Sequence, residues 1–283
     1  VDSITQAALG AAVAEAGLGR RLGNKAILWG AVLGTLPDLD ILAYPFLDEA
    51  SRIVWHRGWS HSLLTAALAS VPVGLLIGRI HGPVYKIGWL ALVVFLIFAT
   101  HALIDCFNVY GTQILWPFSR EPVGFHMMFV VDPLYTLPLL IGLWFASRRP
   151  AGDRLRARTN AAGLMISTLY AGWGFLAHGW ATDQFHKSLA AEGIEVKRVL
   201  VAPAPFQTFV WRAVAEDLEG NFLMTHAPIL SGRKTLDWEP QKRGEELLLG
   251  LEASRAVQTL IWFSRGFYSV QELDGRLYFA DLR

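Results

Sequence analysis

The chain is expected to be mainly α-helical, a polytopic membrane bundle of about six helices followed by a soluble C-terminal α+β domain. Three observations carry that expectation. Hydrophobic residues make up 53% of 283 positions and charged residues only 17%, with a mean hydropathy of +0.36, well above the usual soluble domain. Apolar segments of membrane length recur through the first 181 residues. Beyond them the pattern changes to alternation and turn signals.

The segments run in order. Ser3 to Gly19 is rich in Ala and Gly, broken by Gln6 and Glu15, and its small side chains suit close packing among other helices. Ala26 to about Phe46 contains Pro37-Asp38-Leu39-Asp40. Trp59 to Ile80 is the third, with Ser60 as its candidate N-cap. Ile87 to Phe107 is the fourth, uncharged from Ile87 to Ala99. Asp132-Pro133 opens the fifth, to Ser147, as a cap followed by proline at the first helical position. Ala161 to Ala181 is the sixth.

From about Thr182 the tail reads as strands at Glu195–Val201 and Gln207–Glu216, hairpin turns at Glu219-Gly220-Asn221 and Asp274-Gly275, and a helical period over Glu246–Phe263. The expected division is therefore a helical unit, 1–181, and a soluble unit, 182–283. The first residues, Val1-Asp2-Ser3, lack the basic start of a signal peptide.

Net charge is +1, which gives no field for nucleic acid, and none is expected as a partner. The single cysteine, Cys106, excludes an internal disulfide framework and a thiolate zinc site. Loops after the first, third and fifth segments hold ten Lys/Arg, against three, Arg52, Arg57 and Arg120, after the second and fourth. Basic loops stay in the cytoplasm, so six crossings would place both termini and the tail on the outer side of the membrane.

That orientation collects Asp38, Asp40, His56, His61, His101, Asp105 and Asp132 at one outer level. His101 and Asp105 are four apart, on one face of a helix. Ionisable groups at membrane depth default to function, though a His–Asp hydrogen bond fastening two helices is the plain alternative. Imidazole and carboxylate suit a divalent ion, zinc first, as one or two ions. His56 and His61, five apart, would splay by about 140° on a continuous helix, and Gly58 between them can break that geometry. Asp38 and Asp40 leave the backbone on different sides, so one can ligate while the other orients a histidine. Asp132 is as readily a plain helix cap. Arg57 and Asp40 are the candidate catalytic side chains. Tyr110, Trp116 and Phe118 suit the membrane–water interface.

Asp2-Ser3-Ile4-Thr5-Gln6, Gly34-Thr35-Leu36-Pro37-Asp38-Leu39-Asp40, His56-Arg57-Gly58-Trp59-Ser60-His61-Ser62 and His101 to Ser119, with Tyr110-Gly111-Thr112 and Leu115-Trp116-Pro117-Phe118, resemble the YdjM-type family of bacterial inner-membrane metal-dependent hydrolases. The resemblance spans about residues 2–147. It implies a membrane-bound hydrolase with His56, His61, His101, Asp105 and the Asp38/Asp40 pair at a metal site. Many relatives carry Thr-His near the start where this chain has Thr5-Gln6, which removes one potential ligand. His101-x-x-x-Asp105 also resembles a metal-binding element of zinc-dependent phospholipase C and P1-type nucleases, pointing to phosphoester hydrolysis of a lipid or lipid-linked substrate. Two rivals stay open. A scaffold would keep the helices and tolerate loss of the ligands; a metal or proton transporter would need polar groups through the full membrane depth.

Overall fold

A computed structural model describes residues 1–229, 231 and 235–283. Helix α1 (Ser3–Leu22) starts where the Asp2 carboxylate accepts from the Ile4 and Thr5 amides, satisfying two of the free N–H groups of its first turn. Gly23, at φ 56°, reverses the chain into α2 (Asn24–Thr35). The two helices touch backbone to backbone through Gly10, Gly30 and Gly34. A Cβ on Gly34 would lie 2.5 Å from the Gln6 carbonyl oxygen, so only glycine permits this approach.

Beyond α2 the chain tightens into an eleven-residue 3-10 stretch, Leu36–Phe46, with prolines at 37 and 45. Such a length is uncommon for a 3-10 helix, and the missing proline N–H groups disfavour a regular α-helix here. Asp38 and Asp40, two residues apart at three per turn, point to different sides. The short α3 (Glu49–Trp55) and a single 3-10 turn, Trp59–His61, lead to α4 (Leu63–His81) and α5 (Ile87–Asp105). Ser62, not Ser60, caps α4, accepting from the Thr65 amide. Next come α6 (Pro133–Ser147), capped by Asp132 through the Leu134 amide, and α7 (Arg154–Glu192).

Helix α1 is the hub of the bundle, packed against α2, α5, α6 and α7. On it Glu15 is buried and paired with buried Arg156 of α7 by two hydrogen bonds, Nε to Oε1 at 2.6 Å and Nη2 to Oε2 at 2.5 Å. Arg156, counted by sequence among solvent-facing loop cations, is thus an internal fastener. The basic loops do meet at one end: Arg21 donates to the Val84 carbonyl and Asn24 to that of Ser147.

Among the described residues, three stretches are long and apolar enough to cross a membrane: Asn24–Phe46, Leu63–His81 and Ile87–Asp105. Helix α6 is apolar but has only 15 residues. Of the six expected crossings these three meet that test of length and composition; Glu15, Arg20 and Arg21 reduce the hydropathy of α1, and α7 is polar at both ends. Large apolar side chains face outward along the bundle, among them Leu68, Leu75, Ile141, Phe145, Leu169 and Phe175, an arrangement stable against lipid rather than water.

Helix α7 passes position 181 without a break and stops only at Gly193, left-handed at φ 66°. The segment after it is α+β. Strands β1 (Val196–Pro203), β2 (Val210–Asp217), β3 (Phe222–Pro228) and β4 (Glu239–Gln241) form one antiparallel sheet in that order. Strands β5 (Tyr268–Leu273) and β6 (Arg276–Asp281) form a hairpin whose turn, Asp274-Gly275, has φ of 51° and 70°, as the Asp-Gly signal requires. The expected helical run 246–263 is a 3-10 turn, Glu245–Leu248, and α8 (Arg255–Phe263), separated at Gly250. Phe185 of α7 and Trp211 of β2 share a buried cluster, so the sheet packs directly on the helix that leads into it.

Candidate metal centre

Four of the singled-out residues converge. Asp38 from the 3-10 stretch, His61 from the turn before α4, and His101 and Asp105 from the last turns of α5 offer ligand atoms all within 4.8 Å of one another. His61 Nε2 lies 3.2 Å from Asp38 Oδ1 and 3.4 Å from Asp105 Oδ2. His101 Nε2 lies 3.6 Å from Asp38 Oδ1 and 4.0 Å from Asp105 Oδ2. Donors about 2.0–2.1 Å from a tetrahedral ion stand roughly 3.3 Å apart, so a small adjustment, mostly at His101, would fit these four to one ion. His61, His101 and Asp105 are buried, and only Asp38 is partly open, its side chain 19% exposed.

The surrounding hydrogen bonds fix which atoms face inward. His101 Nδ1 meets the Gly34 carbonyl oxygen at 2.6 Å. A carbonyl only accepts, so Nδ1 carries the proton and Nε2 presents a lone pair. Ser60 Oγ donates to Asp40 Oδ2 at 2.8 Å and lies 2.9 Å from His61 Nδ1. Its one proton is spent on Asp40, so it accepts from His61 Nδ1–H, and His61 Nε2 also presents a lone pair. With both rings neutral, two imidazole lone pairs face two carboxylates, an arrangement that a cation between them would relieve. His101 Nε2 and Asp105 Oδ2 are buried without any hydrogen-bond partner, as the donor atoms of a metal ligand set would be. The Asp/His/His/Asp group could hold a metal ion.

The other sequence candidates surround this group without joining it. Asp40 is held by Ser60, by His56 Nδ1 at 2.9 Å and by the Arg57 amide at 3.3 Å. His56 thus pairs with Asp40 rather than with the four donors. The reason is local: Arg57 is left-handed at φ 59° and Gly58 follows in an irregular conformation, so the chain turns His56 towards Asp40 and His61 towards the donors. Arg57 Nε stands 3.6 Å from Asp105 Oδ2, and its Nη1 donates to Asn108 Oδ1 at 3.1 Å. Asp132 lies outside the group. It caps α6 and accepts from the Tyr170 hydroxyl at 2.8 Å. Gln6 reaches the site, its Nε2 3.2 Å from Asp105 Oδ1, and its Oε1 is buried and unpartnered. Ser60 and the Gly34 carbonyl were not foreseen in these roles. A hydroxyl next to a candidate histidine was the one available hint.

Residues 1–181 match the family described as YdjM inner membrane protein. The chain belongs to that family. Two relatives are similar over part of the chain. The inner membrane protein YbcI of Escherichia coli (strain K12) is 33% identical over 115 residues, 37% of this chain and 63% of that protein. The uncharacterized protein YfhP of Bacillus subtilis (strain 168) is 30% identical over 116 residues, 40% of this chain and 35% of that protein. The chain thus matches less than two thirds of the length of either. No solved structure matches it. All four converging residues lie within the YdjM match, and the strands lie beyond it.

Proposed function

We propose that this YdjM-family protein is a membrane-bound metal-dependent hydrolase acting on a phosphoester, carried by a lipid or a lipid-linked molecule. A divalent ion, zinc first, would be held by Asp38, His61, His101 and Asp105. The observation that carries the reading is the pair of buried, unpartnered ligand atoms, His101 Nε2 and Asp105 Oδ2, beside a His61 whose lone pair faces them. When bound, a divalent ion supplies Lewis acidity and an activated water at neutral pH. Arg57 lies between Asp105 and the neighbouring cleft, where its guanidinium can bind phosphoryl oxygens. Asp40 orients His56 through Nδ1, leaving Nε2 to take or give a proton at the cleft wall. His56 is thereby reassigned from ligand to acid–base partner.

A second reading, a non-catalytic scaffold with a structural ion, draws on the donor count, since four protein ligands can close a tetrahedral zinc site. The six-crossing topology, with the centre and a separate strand domain on the periplasmic side, belongs to the same proposal and is supported by the basic loops meeting at the opposite end. The test is metal content and hydrolysis together. His101→Ala and Asp105→Ala should each lose the ion and the hydrolysis of bis(p-nitrophenyl) phosphate while still inserting in the membrane. Loss of the ion with no wild-type hydrolysis of any phosphoester would favour the scaffold, and unchanged metal content in both variants would remove the centre. Cysteine labelling at positions 51 and 219, in a Cys106→Ser background, should occur from the outer side only.

A further inference from the structure

We propose that α8, outside the family match, supplies one wall of the substrate cleft, and that Trp262 and Phe263 there select a phosphoester bearing an apolar chain. The inference rests on the hydrolase reading above and deepens it.

A cleft of about 550 Å³ opens beside the metal centre, with Arg57 and His56 at its walls together with Tyr44, Tyr110, Trp262 and Phe263. The first four come from the helical region and the last two from α8. The docking of α8 is specific. Arg255 at its start donates to Asp48 Oδ2 at 3.1 Å and Ser51 Oγ at 2.7 Å. At its end, Phe263 stacks on Tyr110 with centroids 5.9 Å apart and planes 12° from parallel. Arg265, just beyond, donates to the Pro122 carbonyl. Yet no residue of α8 is fully buried. Trp262 and Phe263 are only half-buried and line the cleft.

The cleft carries two chemistries. Arg57, beside Asp105, and Arg52 contribute positive charge to the lining, offset in part by Glu49, a balance suited to an anionic phosphoester. The aromatic rings offer apolar surface that such a head group cannot use. Tyr44 lies in the last turns of the apolar stretch Asn24–Phe46, so the mouth stands where that stretch leaves the hydrocarbon. Beside it Leu42 and Phe46 are 67% and 88% exposed, as expected of side chains immersed in lipid. An occupant with a phosphoester head and an apolar chain satisfies both ends and has a route in from the bilayer.

The test uses the full chain in detergent, with Trp262→Ala, Phe263→Ala, the conservative Trp262→Phe, and Arg255→Ala to release the start of α8. Three measurements are made: zinc content, binding of a dye-labelled lysophosphatidic acid by fluorescence anisotropy, and turnover of a phospholipid in mixed micelles against bis(p-nitrophenyl) phosphate. The expected result is wild-type zinc content, probe binding weakened about tenfold in both alanine variants and in Arg255→Ala, and a similar fall in the ratio of phospholipid to small-substrate kcat/KM. Trp262→Phe should recover most of the binding. Probe binding unchanged in the alanine variants, or no probe binding by wild-type protein, overturns the inference while leaving the metal centre and small-substrate hydrolysis standing. Probe binding that depends on Trp262 with no hydrolysis of either substrate overturns the hydrolase reading and retains the cleft wall.

Discussion

Replacing Ser60 by alanine removes one oxygen and should weaken the metal centre from outside it. Ser60 Oγ sits 2.8 Å from Asp40 Oδ2 and 2.9 Å from His61 Nδ1. Without it Asp40 keeps His56 and the Arg57 amide, so the carboxylate is not stranded. His61 loses its Nδ1 acceptor inside a fully buried site. It can leave that N–H unsatisfied, or move the proton to Nε2 and donate to Asp38 Oδ1 at 3.2 Å, which withdraws the ligating lone pair. An unmet buried donor costs about 1–3 kcal/mol, equivalent to roughly a 5- to 150-fold loss of zinc affinity. Competition with a chromophoric chelator at pH 7 measures this on purified protein, with Ser60→Thr as the variant that keeps the hydroxyl. If Ser60→Ala binds zinc within twofold of wild type while remaining folded, Ser60 does not set the His61 tautomer and the lone-pair argument fails with it.

Gly34→Ala would put a methyl 2.5 Å from the Gln6 carbonyl oxygen, forcing α1 and α2 apart by about 1 Å at a cost of roughly 1–3 kcal/mol. Because the Gly34 carbonyl also holds His101, the variant should lose both thermal stability and zinc affinity, read by unfolding and chelator competition. Burial, joined by the positive charges of Arg265, His178 and Arg283, pushes His126 down to about 4. Its neutral form is therefore favoured by folding, and that stability, on the order of 2–3 kcal/mol, is present above about pH 6.5 and lost as pH falls towards 4. His126→Asn, which tolerates the left-handed backbone at φ 53°, should flatten that acid limb in thermal melts. Arg156→Met alone should cost about 3–5 kcal/mol by stranding Glu15, and adding Glu15→Gln should return much of it; equal melting temperatures for the single and double variants would contradict that.

What the sequence made legible was what local rules govern. An uncharged run from Ile87 to Ala99 has few alternatives to a membrane helix, and Asp132-Pro133 and Asp274-Gly275 act through their own backbone neighbours. The shared face of His101 and Asp105 follows from helical spacing alone. Which of seven polar residues would meet depended on how a 3-10 stretch lies against a turn more than twenty residues later, and no periodicity encodes that. Asp132 found Tyr170 across 38 positions, and His56 went to Asp40 because of the backbone at Arg57 and Gly58. The run 182–192 reads as polar tail, yet it continues α7, since nothing breaks a helix before Gly193. Arg156 looked like a loop cation because its partner, Glu15, lies 141 residues earlier.

That last separation bears on how the protein is made. Glu15 precedes Arg156 by 141 residues, so it leaves the ribosome long before its partner exists to neutralise it. A charged group at the middle of a lone helix costs about 3 kcal/mol to insert, and α1 is not among the stretches able to cross on their own. Helix α1 should therefore wait at the edge of the insertion machinery, held by its glycine contact with α2, until α7 arrives. In a Cys106→Ser background, a cysteine placed in α1 should react with a water-soluble thiol reagent in chains stalled before Arg156, whereas chains extended past α7 should protect it. The hub of the bundle would then be synthesised well before it settles.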